Sequence, residues 1–300
     1  AGTVNQPAAP PHWRALAALV ARLPQNGISR LVGRLADLPL PTVLRSLVIG
    51  AFARLVGVNL GEVEKPLAEY PSLGSFFVRR LRPGLRPMPD DRAAIVSPVD
   101  GRLAAFGAID DDQLLQVKGL HYGLGDLVDD ADISPRFLGG SFVTIYLSPR
   151  DYHRIHAPCA GTISWARHVP GRLFPVNRPS AALVPDLFAR NERVMCSIET
   201  GAGGVLVAAV GALNVGRISS QFDRGWNGPR GGVSNRRGAK AETRRYDPVL
   251  GVERGDDLMA FHLGSTVVLL FEPGTFHLQR DLREGSLMRV GQTIARPEAG

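Results

Sequence analysis

Cysteine is nearly absent. Cys159 and Cys196 are the only two in 300 residues. Their separation matches no zinc-type spacing, and two thiols do not make a disulfide framework, which fits a reducing cytoplasm. Aromatic residues are also sparse, at 7%. With no nucleic-acid recognition motif in the chain, readout by base stacking is poorly supported and a nucleic-acid partner is not expected. Long apolar runs are missing too. The best stretch, Leu47 to Val58, is interrupted by Arg54 and falls short of the roughly 18 residues a spanning helix needs. The expectation is a protein that lies on a membrane without crossing it. No signal-peptide pattern is evident. The chain opens Ala-Gly-Thr without Met, so additional residues are expected ahead of Ala1.

Acid is in deficit. Thirty-five Lys and Arg against 28 Asp and Glu leave a formal charge of +7. Such a balance favours anionic partners, namely nucleic acid, anionic lipid or a phosphorylated substrate, without choosing among them. Hydrophobic residues at 44% and charged residues at 21% mark a globular chain. Thirty-four Gly and 23 Pro, spread throughout, predict frequent turns and many short strands.

Hydrophobic periodicity divides the chain. Between residue 12 and about residue 60 the apolar positions recur at helical spacing. Leu16, Leu19, Val20 and Leu23 form one stripe; Ile28, Leu31, Val32 and Leu35 a second; Leu44, Leu47, Val48, Ala51, Phe52 and Leu55 a third. Arginines accompany each stripe (Arg14, Arg22, Arg30, Arg34, Arg45 and Arg54) and acids are rare. That pairing suits helices in a lipid interface, and it also suits a helical bundle laid over a catalytic core. From about residue 93 the pattern becomes short apolar or alternating runs, among them Ser141–Leu147, Val205–Val210 and Thr266–Phe271. These read as strands. The expected fold is α+β: a mainly antiparallel β core with an N-terminal amphipathic helical region. The helical region is placed at 1–65 and a β-rich catalytic domain at 66–300. Residues 217–245 carry eight basic residues against Asp223 and Glu242 and read as a long basic loop, either merely solvated or facing anionic lipid.

Several segments carry polar residues that suit chemistry. Gly264–Ser265 sits just before a strand. A serine hydroxyl beside a glycine carbonyl is placed for an N-to-O acyl shift, given a base for the hydroxyl. The same dipeptide is also a common turn element. His153 and His156, three residues apart, would face one site on a helical turn; they read equally as satisfied histidines, and as a metal pair they lack a third ligand. Asp100 lies in a Pro-x-Asp-Gly turn. It is either a turn-forming residue or the orienting carboxylate of an Asp100–His156–Ser265 triad.

Taken together these segments resemble the bacterial phosphatidylserine decarboxylases over nearly the whole chain. The resemblance begins at Tyr70-Pro-Ser-Leu-Gly-Ser-Phe-Phe-Val-Arg-Arg-Leu81 and runs through Ser97-Pro-Val-Asp-Gly101 and Val117-Lys-Gly119. It is strongest at Tyr146-Leu-Ser-Pro-Arg-Asp-Tyr-His-Arg-Ile-His156, and Leu187-Phe-Ala-Arg-Asn-Glu-Arg-Val194 and Leu263-Gly-Ser-Thr266 complete it. It implies a proenzyme that cuts itself between Gly264 and Ser265, giving a large chain 1–264 and a small chain 265–300. Ser265 becomes a covalent pyruvoyl group, and no metal or external cofactor is required. Asp100 and His156 match the residues that drive the cut, and His153 matches the one that handles the proton during decarboxylation. The implied substrate is phosphatidylserine, converted to phosphatidylethanolamine and CO2 by a peripheral enzyme on the cytoplasmic face of an anionic membrane. A homodimer is compatible with this. Met259 stands where the family usually has glycine, and residues 224–245 match poorly.

Rival readings are a pyruvoyl enzyme for a soluble amino acid, a basic nucleic-acid-binding module, and a serine hydrolase. The last lacks the Gly-x-Ser-x-Gly elbow.

Overall fold

A computed structural model describes residues 23–117, 120–213, 217–263 and 265–298. Most of the first apolar stripe, and Gly264 itself, lie outside the described residues.

Helices come first: α1 (Gln25–Asp37), α2 (Thr42–Val56) and the short α3 (Leu73–Phe77). The strands that follow are β1 (Ile95–Val96), β2 (Gly101–Ala108), β3 (Gln113–Val117), β4 (Leu120–Gly123), β5 (Ser141–Leu147), β6 (Arg154–His156), β7 (Gly161–Val169) and β8 (Arg193–Glu199). They continue with β9 (Gly204–Val210), β10 (Ile218–Ser220), β11 (Glu242–Val252), β12 (Asp257–Phe261), β13 (Ser265–Phe271), β14 (Phe276–Leu278), β15 (Leu287–Met288) and β16 (Thr293–Pro297). The main sheet has eight strands in the order β11-β7-β8-β9-β13-β5-β2-β15, and every pairing in it is antiparallel. The fold is therefore α+β with a β-dominated core, as the change of period predicts.

The middle of the sheet is buried on both faces. All seven residues of β9 and all seven of β13 are inaccessible, which is why both read as unbroken apolar runs instead of alternating ones. A three-stranded sheet, β10-β12-β6, carries the segment just upstream of Ser265. The two Pro-x-x-Gly turns at Pro98 and Pro158 share a packing cause. A Cβ on Gly101 would lie 2.5 Å from the Tyr146 carbonyl oxygen, and one on Gly161 would lie 2.3 Å from that of Glu199. Each glycine lets its strand start against a neighbouring backbone.

The helices form, but their apolar stripes do not point inward. α1 buries Gln25, Ser29 and Gly33 and leaves Leu31, Leu35 and Leu38 each 56% exposed. α2 buries Ile49, Gly50 and Ala53, while Leu47 is 66%, Leu55 85% and Val43 88% exposed. Ile49 and Ala53 join a small core of their own with Val58, Val63, Tyr70 and Phe76. Single exposed leucines are ordinary; here several stand out along two successive helices. No helix among the described residues is long and apolar enough to cross a membrane.

Residues 217–245 are not one loop. β10 and the start of β11 fall inside the segment, and Trp226 and Val233 are buried between them. The glycine and arginine density hid these anchors. Met259 is fully buried in β12, opposite Ile155.

Candidate active site

Ser265 opens β13, the strand between β9 and β5, and pairs with Leu147. The chain leaves β5 there and turns through Ser148–Tyr152 to His153. The carbonyl of His153 then accepts the backbone N–H of Phe261 at 2.9 Å. The two ends of the 147–153 segment thus pair with Ser265 and with Phe261. Both strands' sequences dictate this: the apolar runs on either side are committed to the core, so the polar turns between them must meet at its edge.

Ser265 Oγ, His153 Nε2 and His262 Nδ1 are each buried here without a partner among the described residues. The His153 ring lies 4.2 Å from that of Phe77 and is fully inaccessible. Its Nδ1 is 2.8 Å from the Asp151 carbonyl. A carbonyl only accepts, so Nδ1 carries the proton and Nε2 presents a bare lone pair. Arg79 steadies the loop by donating to the carbonyls of Arg150 and Asp151, both at 3.0 Å. The Asp151 carboxylate closes the turn by accepting from the Ser148 N–H and hydroxyl, each at 2.7 Å.

Immediately before Gly264 the backbone is strained. Leu263 has φ of +99°. A branched apolar side chain gains nothing in that region, and such a conformation costs on the order of 1–3 kcal/mol, held in place by the surrounding packing.

His156 occupies the opposite situation from the one its spacing suggests. His153 and His156 are joined by an extended strand, not a helical turn. At a separation of three in a strand their side chains leave opposite faces. The His156 Nδ1 donates to the Gly255 carbonyl at 2.7 Å, and its Nε2 accepts from the Tyr152 hydroxyl at 3.1 Å, with the two rings stacked. Asp257 Oδ1 stands 3.7 Å from Nδ1. The Asp100 carboxylate is engaged elsewhere. Arg86 Nε donates to its two oxygens at 2.9 and 3.0 Å, and the Val290 N–H donates at 2.9 Å. Arg86 is itself held by Glu62 at 2.7 Å. Among the described residues no hydrogen bond joins Asp100 to His156 or His156 to Ser265. Asp100 lines a 310 Å³ cavity with Arg86, Arg79 and Tyr152, and of these Tyr152 is the one whose side chain reaches His156; neither His156 nor Ser265 lines the cavity.

Arg79, Arg86, Tyr152 and Gly255 thus shape the site without having been singled out from the sequence. Arg79 and Tyr152 lie inside segments that carry the family resemblance. A backbone carbonyl such as that of Gly255 leaves no signal in a side-chain pattern.

Burial governs the imidazoles. It pushes the His153 pKa down to about 3, with the Arg79 charge adding to the effect. It pushes His262 down to about 3 as well, helped by Arg217 and Arg154. His156 is also lowered, chiefly by burial. All three are therefore neutral at pH 7 in the folded chain. Unfolded, each takes up a proton below about pH 6.5, so the unfolded state binds more protons and stability falls as pH drops from about 6.5 toward 3. By pH 5 a fully neutral buried histidine contributes about 2 kcal/mol to that loss. Melting temperatures measured at pH 7.5 and 5 should therefore fall less in His262→Gln than in the unaltered protein. Equal slopes would contradict the assignment.

The family's sequence model, described as phosphatidylserine decarboxylase, matches residues 73–296. The chain belongs to the phosphatidylserine decarboxylase family. It is 42% identical to a phosphatidylserine decarboxylase proenzyme of Anaeromyxobacter sp. (strain K), over 91% of this chain and 94% of the relative. The corresponding proenzyme of Myxococcus xanthus (strain DK1622) is 39% identical over 92% and 96%. That of Bordetella avium (strain 197N) is 40% identical over 91% and 92%. Coverage of the relatives is nearly complete, so the β core, the paired turns and at least part of the helical region all fall within the family's common length.

Proposed function

We propose that this chain is a self-processing, pyruvoyl-dependent phosphatidylserine decarboxylase working at a membrane surface. The observation that carries the reading is the unpartnered, buried Ser265 hydroxyl, two residues after the strained Leu263. It accompanies family membership and a second unpartnered atom, His153 Nε2.

Self-processing balances without an outside reagent except water. His156 Nε2, a lone pair in the tautomer held by Gly255, takes the Ser265 hydroxyl proton once Tyr152 yields its hydrogen bond. The oxygen adds to the Gly264 carbonyl carbon, the C–N bond breaks, and the nitrogen takes a proton, leaving an ester. Removal of the Ser265 α-proton then expels the Gly264 carboxylate. Hydrolysis of the remaining dehydroalanine releases ammonia and leaves a ketone at the head of the chain 265–300. In this proposal Asp100 keeps the carboxylate role, acting across the cavity it shares with Tyr152. A neutral His156 is the active form, so the cut should persist below the ordinary histidine range.

The group so formed supplies an electrophile and an electron sink for loss of CO2. The residues present suit it. Ser265 is secluded in the core, which excludes water, and His153 offers a bare nitrogen at the end of the 147–153 segment. We assign to His153 Nε2 the uptake of a proton from the arriving substrate and its return to the substrate carbon.

The acyl chains remain in the bilayer, on the cytoplasmic face of the cell membrane, and the enzyme sits beside them as a peripheral protein. The outward leucines of α1 and α2 are the proposed contact, with the membrane-associating region taken to residue 65 and the catalytic domain from 66 onward. Leu31→Ser with Leu47→Ser should abolish most CO2 release from phosphatidylserine vesicles while sparing a short-chain soluble phosphatidylserine. Equal losses on both substrates, or none on either, would contradict a lipid-contact role.

A further inference from the structure

Two segments some two hundred residues apart meet at a basic cleft that the reaction does not use. The cleft has a volume of about 240 Å³ and lies between α1 and residues 228–237. Arg34, Arg217, Arg230, Arg236 and Arg237 line it, with Asp37 as the one carboxylate. Asp37 is taken by Arg217, and Arg236 pairs at 2.9 Å with Glu242, which is shared with Arg244. Arg34 and Arg237 make no ion pair among the described residues, and both are exposed. Nε of Arg217 and Nε of Arg236 are buried without a hydrogen-bond partner there. Five guanidinium groups around one small space repel one another, and a bound anion relieves the repulsion while filling the open donors. Guanidinium forks suit phosphate oxygens in particular.

The position of the cleft selects the kind of phosphate. Arg34 shares its helix face with Leu31, three residues before it, and Leu38 follows just past the helix end; both leucines are exposed. The cleft mouth therefore borders the outward apolar surface. On its other side it shares Arg217, Gly228 and Pro229 with a 560 Å³ cleft that reaches Arg154, Arg224 and His262, two residues before Gly264. Resting on the membrane-surface reading, we propose that this arginine cleft binds the phosphate of an anionic phospholipid head group. It seats the protein on the bilayer with its leucine face down and its site beside the lipid.

The probes are vesicles of phosphatidylcholine alone and of phosphatidylcholine with one-third phosphatidylglycerol, at fixed ionic strength. Arg34→Gln with Arg237→Gln should weaken binding to the phosphatidylglycerol vesicles roughly 10- to 30-fold and leave binding to phosphatidylcholine unchanged. Arg34→Lys with Arg237→Lys should restore only part, because lysine keeps the charge but not the fork. Unchanged phosphatidylglycerol binding in the glutamine pair overturns the proposal. Full recovery in the lysine pair also overturns it, since a diffuse basic surface would behave that way. Submillimolar inorganic phosphate that raises the melting temperature of the unaltered protein, but not of the glutamine pair, would reassign the cleft to free phosphate. Self-cleavage and CO2 release from short-chain phosphatidylserine are read separately. Their absence in the unaltered protein sinks the decarboxylase reading and leaves the vesicle result standing.

Discussion

Ser265→Ala should be recovered as one full-length chain, while the unaltered protein is recovered as two chains that part between residues 264 and 265. The effect is all or none because alanine has no oxygen to add to the Gly264 carbonyl, and no other described residue offers a hydroxyl at that point of the backbone. Structure should survive the change. Ser265 Oγ has no hydrogen-bond partner among the described residues, so its removal leaves no donor or acceptor stranded. The altered protein is therefore expected to melt near the unaltered one, and intact mass is the measurement. An alanine protein that still divides at 264/265 would show that another nucleophile makes the cut.

His153→Ala carries the second large effect. It is expected to cut itself and then to release CO2 from phosphatidylserine some 10²- to 10⁴-fold more slowly, the usual range for a lost acid–base group. The argument is geometric before it is electrostatic. Nδ1 is committed to the Asp151 carbonyl, so Nε2 is the free atom, and nothing in the described protein occupies it. A buried lone pair kept vacant is an expensive arrangement for a purely structural residue. His153→Gln keeps most of the volume against Phe77 and separates lost chemistry from lost packing. Normal decarboxylation by either variant would remove His153 from the mechanism. Failure of both to cut, with folding intact, would move the residue into the processing step.

The two reactions draw on different parts of the sequence, and those parts differ in how openly they announce themselves. Thr-Val-Val-Leu-Leu-Phe from Thr266 reads at once as a central strand, and β13 is one. The stripe of Leu31 and Leu35 reads at once as helical, yet periodicity carries no sign: it says that one face is apolar, not which way the face points. Here Gln25, Ser29 and Gly33 face the protein and the leucines face out. His153 and His156 were recognisable as chemistry, but their spacing of three suits a helix, and only the strand they border separates their directions. Asp100 was recognisable as well. Its engagement with Arg86 and the hold of Gly255 on His156, the latter across 99 positions, are long-range contacts that one sequence without its fold does not reveal.

The electrostatics point the same way as the geometry. Burial keeps His153 and His156 neutral, which suits bases that must accept a proton before returning it. Arginine also stands beside these rings, Arg79 near His153 and Arg154 near His156, while five others line the cleft beside α1.

A reagent that reacts with ketones decides the central claim most directly. Treated with hydroxylamine and examined by mass, the chain beginning at position 265 should gain one oxime, and CO2 release should stop in proportion. A chain 265–300 that remains unmodified while the protein stays active, or an active protein with an ordinary amino terminus at Ser265, would contradict the account.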